Sequence, residues 1–217
     1  MIKRAVSEIS LNSGFGSRVY LVLRMLTCPF DRILKMVPAR GLILDLGCGA
    51  GLFFFLLSHN APERSIISVD CRLERIRAAG RAAETGGFKN ISFAHGDIVS
   101  FPYPDSTDCI VLIDVLYQLS SQDKAEVIRK CSASLRKDGV LFVKETGTSP
   151  AWKFLWCYFQ ETVISRLLRV NLRRVEPLGA EVWLDIIGKE GFSAEIKKID
   201  KGYSYPHVLF ICRKTDA

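Results

Sequence analysis

Hydrophobic residues follow two alternating patterns from about residue 41 onward. One pattern is a short run that is apolar at nearly every position, and it occurs at residues 42–46, 66–70, 91–97, 109–114 and 139–145. The other is helical spacing of apolar residues, and it occurs between those runs at 51–59, 72–86 and 122–136. Runs that are apolar throughout are typical of strands covered on both faces. The alternation therefore predicts an α/β fold with a doubly wound, mostly parallel sheet.

The pattern changes after the fifth run. Ser149 and Pro150 predict the start of a long helix over 151–170, with Ser149 as its cap and Pro150 at its first position. A second helix is predicted at about 179–190. Two closing strands, at about 192–199 and 206–213, share a short link, which predicts an antiparallel hairpin.

The helix over 122–136 has recognisable ends in the sequence. Ser120 or Ser121 can cap its first turn, and Gly139 is placed for a left-handed turn after its last residue. Before the sheet, residues 17–37 predict one or two helices that break near Cys28 and Pro29.

Composition is that of an ordinary globular protein. Of 217 residues, 48% are hydrophobic and 24% are charged, which excludes a disordered scaffold. The seven cysteines are odd in number and form no Cys-x-x-Cys pair, so neither a disulfide framework nor a zinc site is predicted. We expect a reducing, cytoplasmic setting, because no signal-peptide pattern and no apolar stretch of ~18 residues is present.

Positive charge is concentrated at the two ends of the chain. The net charge is +7, and residues 1–40 carry 7 basic and 2 acidic side chains. Residues 41–150 carry 12 basic and 13 acidic side chains, and residues 151–217 carry 11 and 8. This distribution permits an anionic partner such as nucleic acid or a lipid surface without requiring one.

The strongest motif is 43-ILDLGCGAG-51, in which an apolar strand leads directly into a helical pattern. Gly47, Gly49 and Gly51 allow a tight turn and the close approach of a ligand. A dinucleotide fingerprint needs a further glycine where Leu52 stands. Asp45, two residues before the first glycine, would repel a pyrophosphate and would suit a ligand that carries an ammonium and a sulfonium.

Three further acids also end predicted strands, where open α/β sheets bind ligands. Asp70 lies 19 residues after Gly51 and can accept hydrogen bonds from both hydroxyls of a ribose. Asp97 can accept from an adenine amine, or it can cap a helix. Asp114 is either a ligand or a turn residue.

These motifs resemble, in order and spacing, those of class I S-adenosylmethionine-dependent methyltransferases. The resemblance rests on LDLGCGAG, the strand end at Asp70, GDI at 96–98 and IDVLYQL at 113–119, and it covers about residues 40–213. Residues 139–145 are similar to that family's fifth strand, and 183–192 to the helix before its final hairpin. The resemblance implies a methyltransferase with a Rossmann-like, seven-stranded sheet, an antiparallel last strand and S-adenosylmethionine as cofactor.

The resemblance also implies roles for particular residues. Asp45 and the glycines would hold the methionine end of the cofactor, Asp70 the ribose, and Asp97 with Ile98 the adenine. The implied cofactor site consists of Asp45, Gly47, Cys48, Gly49, Gly51, Asp70, Cys71, Gly96, Asp97, Ile98, Asp114 and Val115. No metal ligand is predicted.

We expect one methyltransferase domain over residues 1–217. Its predicted parts are a helical N-terminal cap (1–40), a cofactor-binding core (41–146), a helical segment on the substrate side (147–190) and a C-terminal hairpin (191–217). In this family, the segments before the first strand and after the fifth commonly cover the substrate side of the cofactor.

Methyl transfer from a sulfonium is an in-line displacement, so alignment of the nucleophile supplies much of the catalysis. A general base is needed only if a proton must leave early. The candidates are Tyr117, in the loop where the family often has a histidine, and Glu145, which could equally be a turn carboxylate. The chain has no Asn-Pro-Pro-Tyr motif, which disfavours DNA-adenine and glutamine acceptors.

The flanking segments bear on the acceptor. One predicted helical face carries Trp152, Leu155, Trp156, Phe159 and Val163, is widened by Phe154 and Tyr158, and is followed by Arg166, Arg169, Arg173 and Arg174. Residues 18–35 repeat this mixture with Arg18, Tyr20, Leu21, Leu23, Arg24, Leu26, Phe30, Arg32 and Lys35. The mixture favours a small or lipid-like acceptor, free or carrier-bound, or docking on an anionic membrane at the inner face.

Other interpretations stay open at this point. The aromatic residues could be core or dimer contacts, and the arginines could form a solvated face or bind nucleic acid. The chain could also be a cofactor-binding subunit without catalysis, or an oxidoreductase on a related fold.

Overall fold

The computed structural model describes residues 22–49, 51–156, 159 and 178–215. Its seven strands are β1 (Gly41–Leu46), β2 (Arg64–Asp70), β3 (Ile91–His95), β4 (Thr107–Ile113), β5 (Leu135–Thr146), β6 (Phe192–Lys198) and β7 (His207–Lys214). They form one sheet in the order β3-β2-β1-β4-β5-β7-β6, and β7 runs antiparallel to both of its neighbours. The predicted seven-stranded α/β sheet and its closing hairpin are confirmed.

Helices connect the strands. They are α1 (Phe30–Leu34), α2 (Leu52–Asn60), α3 (Leu73–Gly86), α4 (Ser121–Ser134) and α5 (Ala180–Lys189), with a 3-10 turn at Leu116–Gln118. Residues 22–27 and 151–156 are also helical.

The central strands are buried on both faces, as their continuous apolar runs predict. One face packs against α2 and α3 through residues such as Phe54 and Ala82. The opposite face packs against α4 and α5 through Val127, Ile128 and Trp183. Each fully buried side chain of this size contributes roughly 1.5–3 kcal/mol relative to an exposed one, so the helices are held to the sheet from both sides.

The end of α4 differs from the prediction. Ser120 does cap its first turn, since its Oγ accepts from the Asp123 N–H at 3.1 Å. The helix ends at Ser134, however, and Gly139 lies within β5 without a left-handed φ. A Cβ on Gly139 would lie 2.8 Å from the Leu135 side chain and 3.1 Å from a β4 carbonyl. This glycine is therefore required for close packing at an irregularity in the β4–β5 register rather than for a turn.

The helix after β5 begins at residue 151, but its capping residue differs from the prediction. The Pro150 carbonyl accepts from the Phe154 N–H at 3.3 Å, so Pro150, and not Ser149, precedes the first turn of the helix. Phe154, predicted to widen the apolar face of this helix, is half-buried, whereas the described residues at the centre of that face are exposed. Tyr158, Val163 and the four arginines that follow lie outside the described residues, as do the expected helix beyond residue 159 and the predicted residues 18, 20 and 21.

The loop between β6 and β7, residues 199–206, is called the hairpin loop here. Thr146 pairs with His207 in the β5–β7 register, so this loop lies at the edge of the sheet where the parallel strands end. Arg32 donates to the carbonyls of Ile199 (3.0 Å) and Lys201 (2.5 Å). The Lys153 ammonium binds the Asp200 carboxylate at 2.6 Å. We call residues 22–35 the N-terminal flank and residues 151–156 with 159 the second flank. Both flanks are thus fixed at the carboxyl edge of the sheet.

Candidate active site

The glycine turn after β1 is tied to the neighbouring strand. The N–H groups of Gly47 and Cys48 donate to the Val69 carbonyl at 2.8 and 2.9 Å. Gly47 has φ +73°, and a Cβ there would collide with the side chain of Val115. Gly51 has φ +90° and precedes α2, and a Cβ there would enter the Phe54 ring. The turn needs glycine at both places, and it brings Val115 of the post-β4 loop against the first glycine.

Asp45 lies in β1 just before this turn and is only 3% exposed. Its Oδ2 atom has no hydrogen-bond partner among the described residues. Burial, with a smaller contribution from the nearby Asp70 charge, raises the pKa of Asp45 to about 7. A buried carboxylate without a partner costs free energy, so this position suits a ligand that carries positive charge.

Asp70 ends β2 and faces the glycine turn. Its carboxylate accepts from the N–H of Gly49 at 2.8 Å and from the N–H of Arg72 at 2.9 Å. The Arg75 guanidinium lies 3.8 Å from the same carboxylate. Each oxygen keeps a lone pair that can accept from a hydroxyl. The sequence prediction missed Arg75, although its place in the first turn of α3, five residues after the acid, was a usable signal.

The β3 end adjoins this acid. The Gly96 N–H donates to the Asp70 carbonyl at 3.1 Å. The next residue, Asp97, is exposed, and its side chain accepts from the Val99 N–H at 2.9 Å, as in a cap. Ile98 is buried, and its carbonyl accepts from the Tyr103 hydroxyl at 2.8 Å. The two predicted adenine contacts therefore lie in a fixed turn beside the predicted ribose acid.

The two cysteines of the predicted site have different surroundings. Cys48 is half-buried in the glycine turn, and burial raises the pKa of its thiol well above the ordinary range. Cys71 is exposed, and its carbonyl lies 3.1 Å from the His95 ring. Both residues form hydrogen bonds through their backbone, at the Cys48 N–H and the Cys71 carbonyl.

Asp114 follows β4 with an unusual backbone φ of +50°. Its carboxylate lies 2.5 Å from the Lys144 ammonium and 2.6 Å from the Arg24 guanidinium. Burial alone would raise the pKa of Asp114, but these two cations offset it and hold the pKa below the ordinary value. The carboxylate predicted as a cofactor ligand is therefore engaged with two cations from β5 and the N-terminal flank.

We call Asp114, Lys144 and Arg24 the ion cluster. Glu145 follows Lys144 in β5 and is 3% exposed. Its Oε1 accepts from the Leu116 N–H at 3.1 Å. Burial, and then the charge of Asp114, raises the pKa of Glu145 to about 8. The contact fixes the start of the 3-10 turn that carries Tyr117, which is half-buried.

The ion cluster contains residues that the sequence prediction missed. Lys144 is 1% exposed, and Arg24 comes from a flank 90 residues away from its partner. A lysine inside a strand predicted to be buried on both faces needs an acidic partner, and this was a usable signal for Lys144. Within the described ranges, no group of three or more His, Cys, Asp or Glu side chains is placed to hold a metal ion.

Comparison with known proteins gives a family. A family model described as "Methyltransferase domain" matches residues 40–169. The chain is 28% identical over 152 residues to an uncharacterized methyltransferase of Schizosaccharomyces pombe, and this match covers 67% of the chain and 54% of the relative. It is 29% identical over 157 residues to an arsenite methyltransferase of Aquipseudomonas alcaligenes, and this match covers 66% of the chain and 40% of the relative. The chain thus spans about half the length of these relatives.

The fold has counterparts among solved structures. A SAM-dependent methyltransferase from Aquifex aeolicus matches with a TM-score of 0.66 and 15% identity, over 92% of this chain and 98% of that one. At this level of identity the likeness concerns the fold alone.

Proposed function

Since the chain belongs to the class I S-adenosylmethionine-dependent methyltransferases, we propose that it transfers a methyl group to a small or lipid-like acceptor by in-line displacement. The observation that carries this proposal is the buried carboxylate of Asp45, whose Oδ2 has no partner among the described residues and which adjoins the glycine turn. S-adenosylmethionine supplies a methyl group that is already activated on a positively charged sulfur.

The residues at the turn fit this cofactor. Asp45 would pair with the ammonium of its methionine end, which would relieve the cost of a buried, unpaired charge. Asp70, already fixed by two backbone N–H groups, would accept from the ribose hydroxyls. The turn at Asp97 and Ile98 would border the adenine.

We propose that the chain acts chiefly by positioning. Glu145 holds the Leu116 N–H and so fixes the turn that presents Tyr117 at the carboxyl edge. In this scheme Glu145 is a positioning residue, and its raised pKa reflects burial rather than proton transfer to an acceptor. Alignment of reactants can lower the barrier by several kcal/mol without a base, because the leaving group departs neutral.

The acceptor is proposed from the flanks. Both helical flanks are fixed at the carboxyl edge, and both carry exposed aromatic or aliphatic residues among basic ones. This mixture favours an apolar acceptor with an anionic end, free or bound to a carrier. The arsenite methyltransferase relative bears the name of an inorganic acceptor, so membership of the family does not fix the acceptor. Nucleic acid is a weaker alternative, because the basic residues form no dense tract.

A second candidate function is cofactor binding without catalysis, as a subunit of a larger assembly. The engagement of Asp114 by two cations favours this candidate where the acceptor must lose a proton early, since it leaves no ionised acid in residues 114–120 free to act as a base. The two candidates share cofactor binding and differ in turnover.

Calorimetry with S-adenosylmethionine, S-adenosylhomocysteine and NAD tests the cofactor. We expect binding of the first two, weakened by Asp45→Asn and unchanged by Asp105→Asn, an exposed acid at the opposite edge of the sheet. Binding of NAD alone would overturn the proposal. Transfer of a labelled methyl group to acyl, polyene or carrier-linked acceptors then separates an enzyme from a binding subunit.

A further inference from the structure

The exposed hydrophobic residues of the described chain are concentrated on the two flanks. Eleven large hydrophobic side chains are exposed, and four of them lie on the second flank: Trp152 (63%), Leu155 (63%), Trp156 (46%) and Phe159 (60%). Three more lie on the N-terminal flank: Val22 (51%), Met25 (39%) and Leu26 (69%). Isolated exposed hydrophobic residues are normal, but a concentration of this kind marks an interaction surface.

The spacing places these residues on one side of each helix. Val22, Met25 and Leu26 stand at positions i, i+3 and i+4. The second flank repeats this spacing from Trp152 and extends it to i+7. Residues at these intervals share a face of a helix.

The opposite side of each helix is the anchored side. On the second flank, Lys153 binds Asp200 and Phe154 is half-buried. On the N-terminal flank, Arg24 pairs with Asp114 at 2.6 Å. The exposed apolar faces therefore point away from the contacts that hold the two helices to the protein.

Both flanks are fixed to the same part of the chain, the hairpin loop and the start of β7. The Thr27 carbonyl is 2.5 Å from the Nε2 atom of His207, the first residue of β7, which directly follows the hairpin loop. The Arg32 guanidinium binds two carbonyls of that loop, and Lys153 binds its Asp200. We call the seven exposed residues of the two flanks the docking face.

Charge indicates what the docking face meets. Residues 1–40 carry 7 basic and 2 acidic side chains, and residues 151–175 carry 5 and 1. The other segments together are slightly acidic, since the whole chain has 30 basic and 23 acidic side chains. A second copy of the chain would bring the same positive excess against itself across a symmetric interface. An anionic partner with an apolar interior matches both properties.

We propose that the docking face binds the surface of an anionic lipid bilayer, with Trp152 and Trp156 inserted at the level of the lipid headgroups. Tryptophan is enriched at that depth because its ring is apolar and its N–H can remain hydrated. Flanking basic residues add attraction to anionic lipid that salt weakens. The described helices include none that is long and apolar enough to cross a membrane. Binding of the docking face would present the carboxyl edge of the sheet to lipid-borne acceptors.

Tryptophan fluorescence tests the proposal directly. The chain has three tryptophans, and the third, Trp183, is 2% exposed in the core. Vesicles with about 30% phosphatidylglycerol should shift the emission to shorter wavelength, and brominated lipid should quench it. We expect at least tenfold tighter binding than to pure phosphatidylcholine, and loss of most of that gain at high salt.

Paired variants distinguish binding through the docking face from nonspecific hydrophobic adsorption to vesicles. Trp152→Ser with Leu155→Ser should weaken vesicle binding at least tenfold and leave the melting temperature unchanged, because both side chains are exposed. The matched control is Val182→Ser with Leu184→Ser, which removes two exposed hydrophobic residues of α5. An equal loss of vesicle affinity in the two double variants would overturn the proposal.

Other occupants give distinguishable results. A blue shift that grows with protein concentration in the absence of vesicles would assign the face to a second copy. A shift produced by RNA and not by anionic vesicles would assign it to nucleic acid. Either result overturns the bilayer proposal. The vesicle assay needs no methyl donor, so its failure leaves the proposed methyl transfer to its own tests.

Discussion

Replacing Asp45 with asparagine should stabilise the ligand-free protein at neutral and alkaline pH while weakening its binding of S-adenosylmethionine. The carboxyl is 3% exposed, and its pKa is raised from 3.8 to about 7, mainly by burial. Each unit of such a shift corresponds to about 1.4 kcal/mol, so ionised Asp45 costs the native state about 4 kcal/mol at pH 8 and above.

The sign follows from proton binding by the two states. Between about pH 4 and pH 7 the native protein keeps the Asp45 proton, whereas the unfolded chain has lost it. Stability therefore falls as pH rises through this window and levels off above the folded pKa. Asparagine does not titrate, so the variant lacks this loss. The difference in the free energy of unfolding between Asp45→Asn and the wild type should therefore increase by about 3 kcal/mol from pH 5 to pH 8.

Urea unfolding at pH 5 and pH 8, without ligand, measures this difference, and Asp105→Asn serves as the matched control. Parallel pH profiles for the wild type and Asp45→Asn would refute the assignment of an unpaired buried carboxyl. In a second measurement at pH 8, S-adenosylmethionine should raise the melting temperature of the wild type more than that of Asp45→Asn. An equal rise would show that Asp45 does not pair with the cofactor.

Three further changes probe the rest of the site. Asp70→Ala should lose roughly 1.5–3 kcal/mol of cofactor affinity by calorimetry, the scale of hydrogen bonds to a charged group, and unchanged binding would remove Asp70 from the site. Lys144→Met should cost about 1–3 kcal/mol in urea unfolding, because it removes one of the two cationic partners of the buried Asp114 and leaves Arg24, and an unchanged free energy of unfolding would contradict the burial of that pair. Gly51→Ala should destabilise by about 1–3 kcal/mol, through its left-handed φ and the adjacent Phe54 ring, and a neutral result would mean that the turn relaxes freely.

The sheet could be predicted because burial on both faces leaves a direct mark on the sequence. Strands β1 and β4 are apolar at most positions, as is the 139–143 part of β5, and each is followed or preceded by a helical pattern. The glycine turn could be predicted for a similar reason, since Gly47 and Gly51 occupy backbone conformations that other residues rarely adopt. Features that depend on local constraints of this kind can be predicted from a single sequence.

The ion cluster could not be predicted, because it depends on contacts between distant segments. Arg24 and Asp114 are brought together by the docking of the N-terminal flank, and no local pattern specifies that docking. Asp114 itself was placed correctly at a strand end, but its partners decide its charge and its availability.

Two smaller differences have the same physical origin. Gly139 looked like a helix terminator because glycine often ends helices, whereas here a side chain of Leu135 fills the space that a Cβ would need. Phe154 differs from its neighbours on the apolar face in being half-buried. An amphipathic pattern shows which residues share a helical face, but it does not show which edge of that face contacts the protein.

The contact between Thr27 and His207 joins residues 180 positions apart in the chain. During synthesis, the N-terminal flank emerges first but cannot find this partner until the last strand has left the ribosome. At about 5–20 residues per second, roughly 10–40 s pass between the synthesis of Thr27 and that of its partner His207. Strands β1 to β6 are thus synthesised before the contact with His207 can hold the N-terminal flank in place. A chain cut off before residue 207 would keep the Arg24–Asp114 and Lys153–Asp200 pairs but lose the His207 partner of Thr27. It would also lose β7, the strand that joins β6 to the sheet.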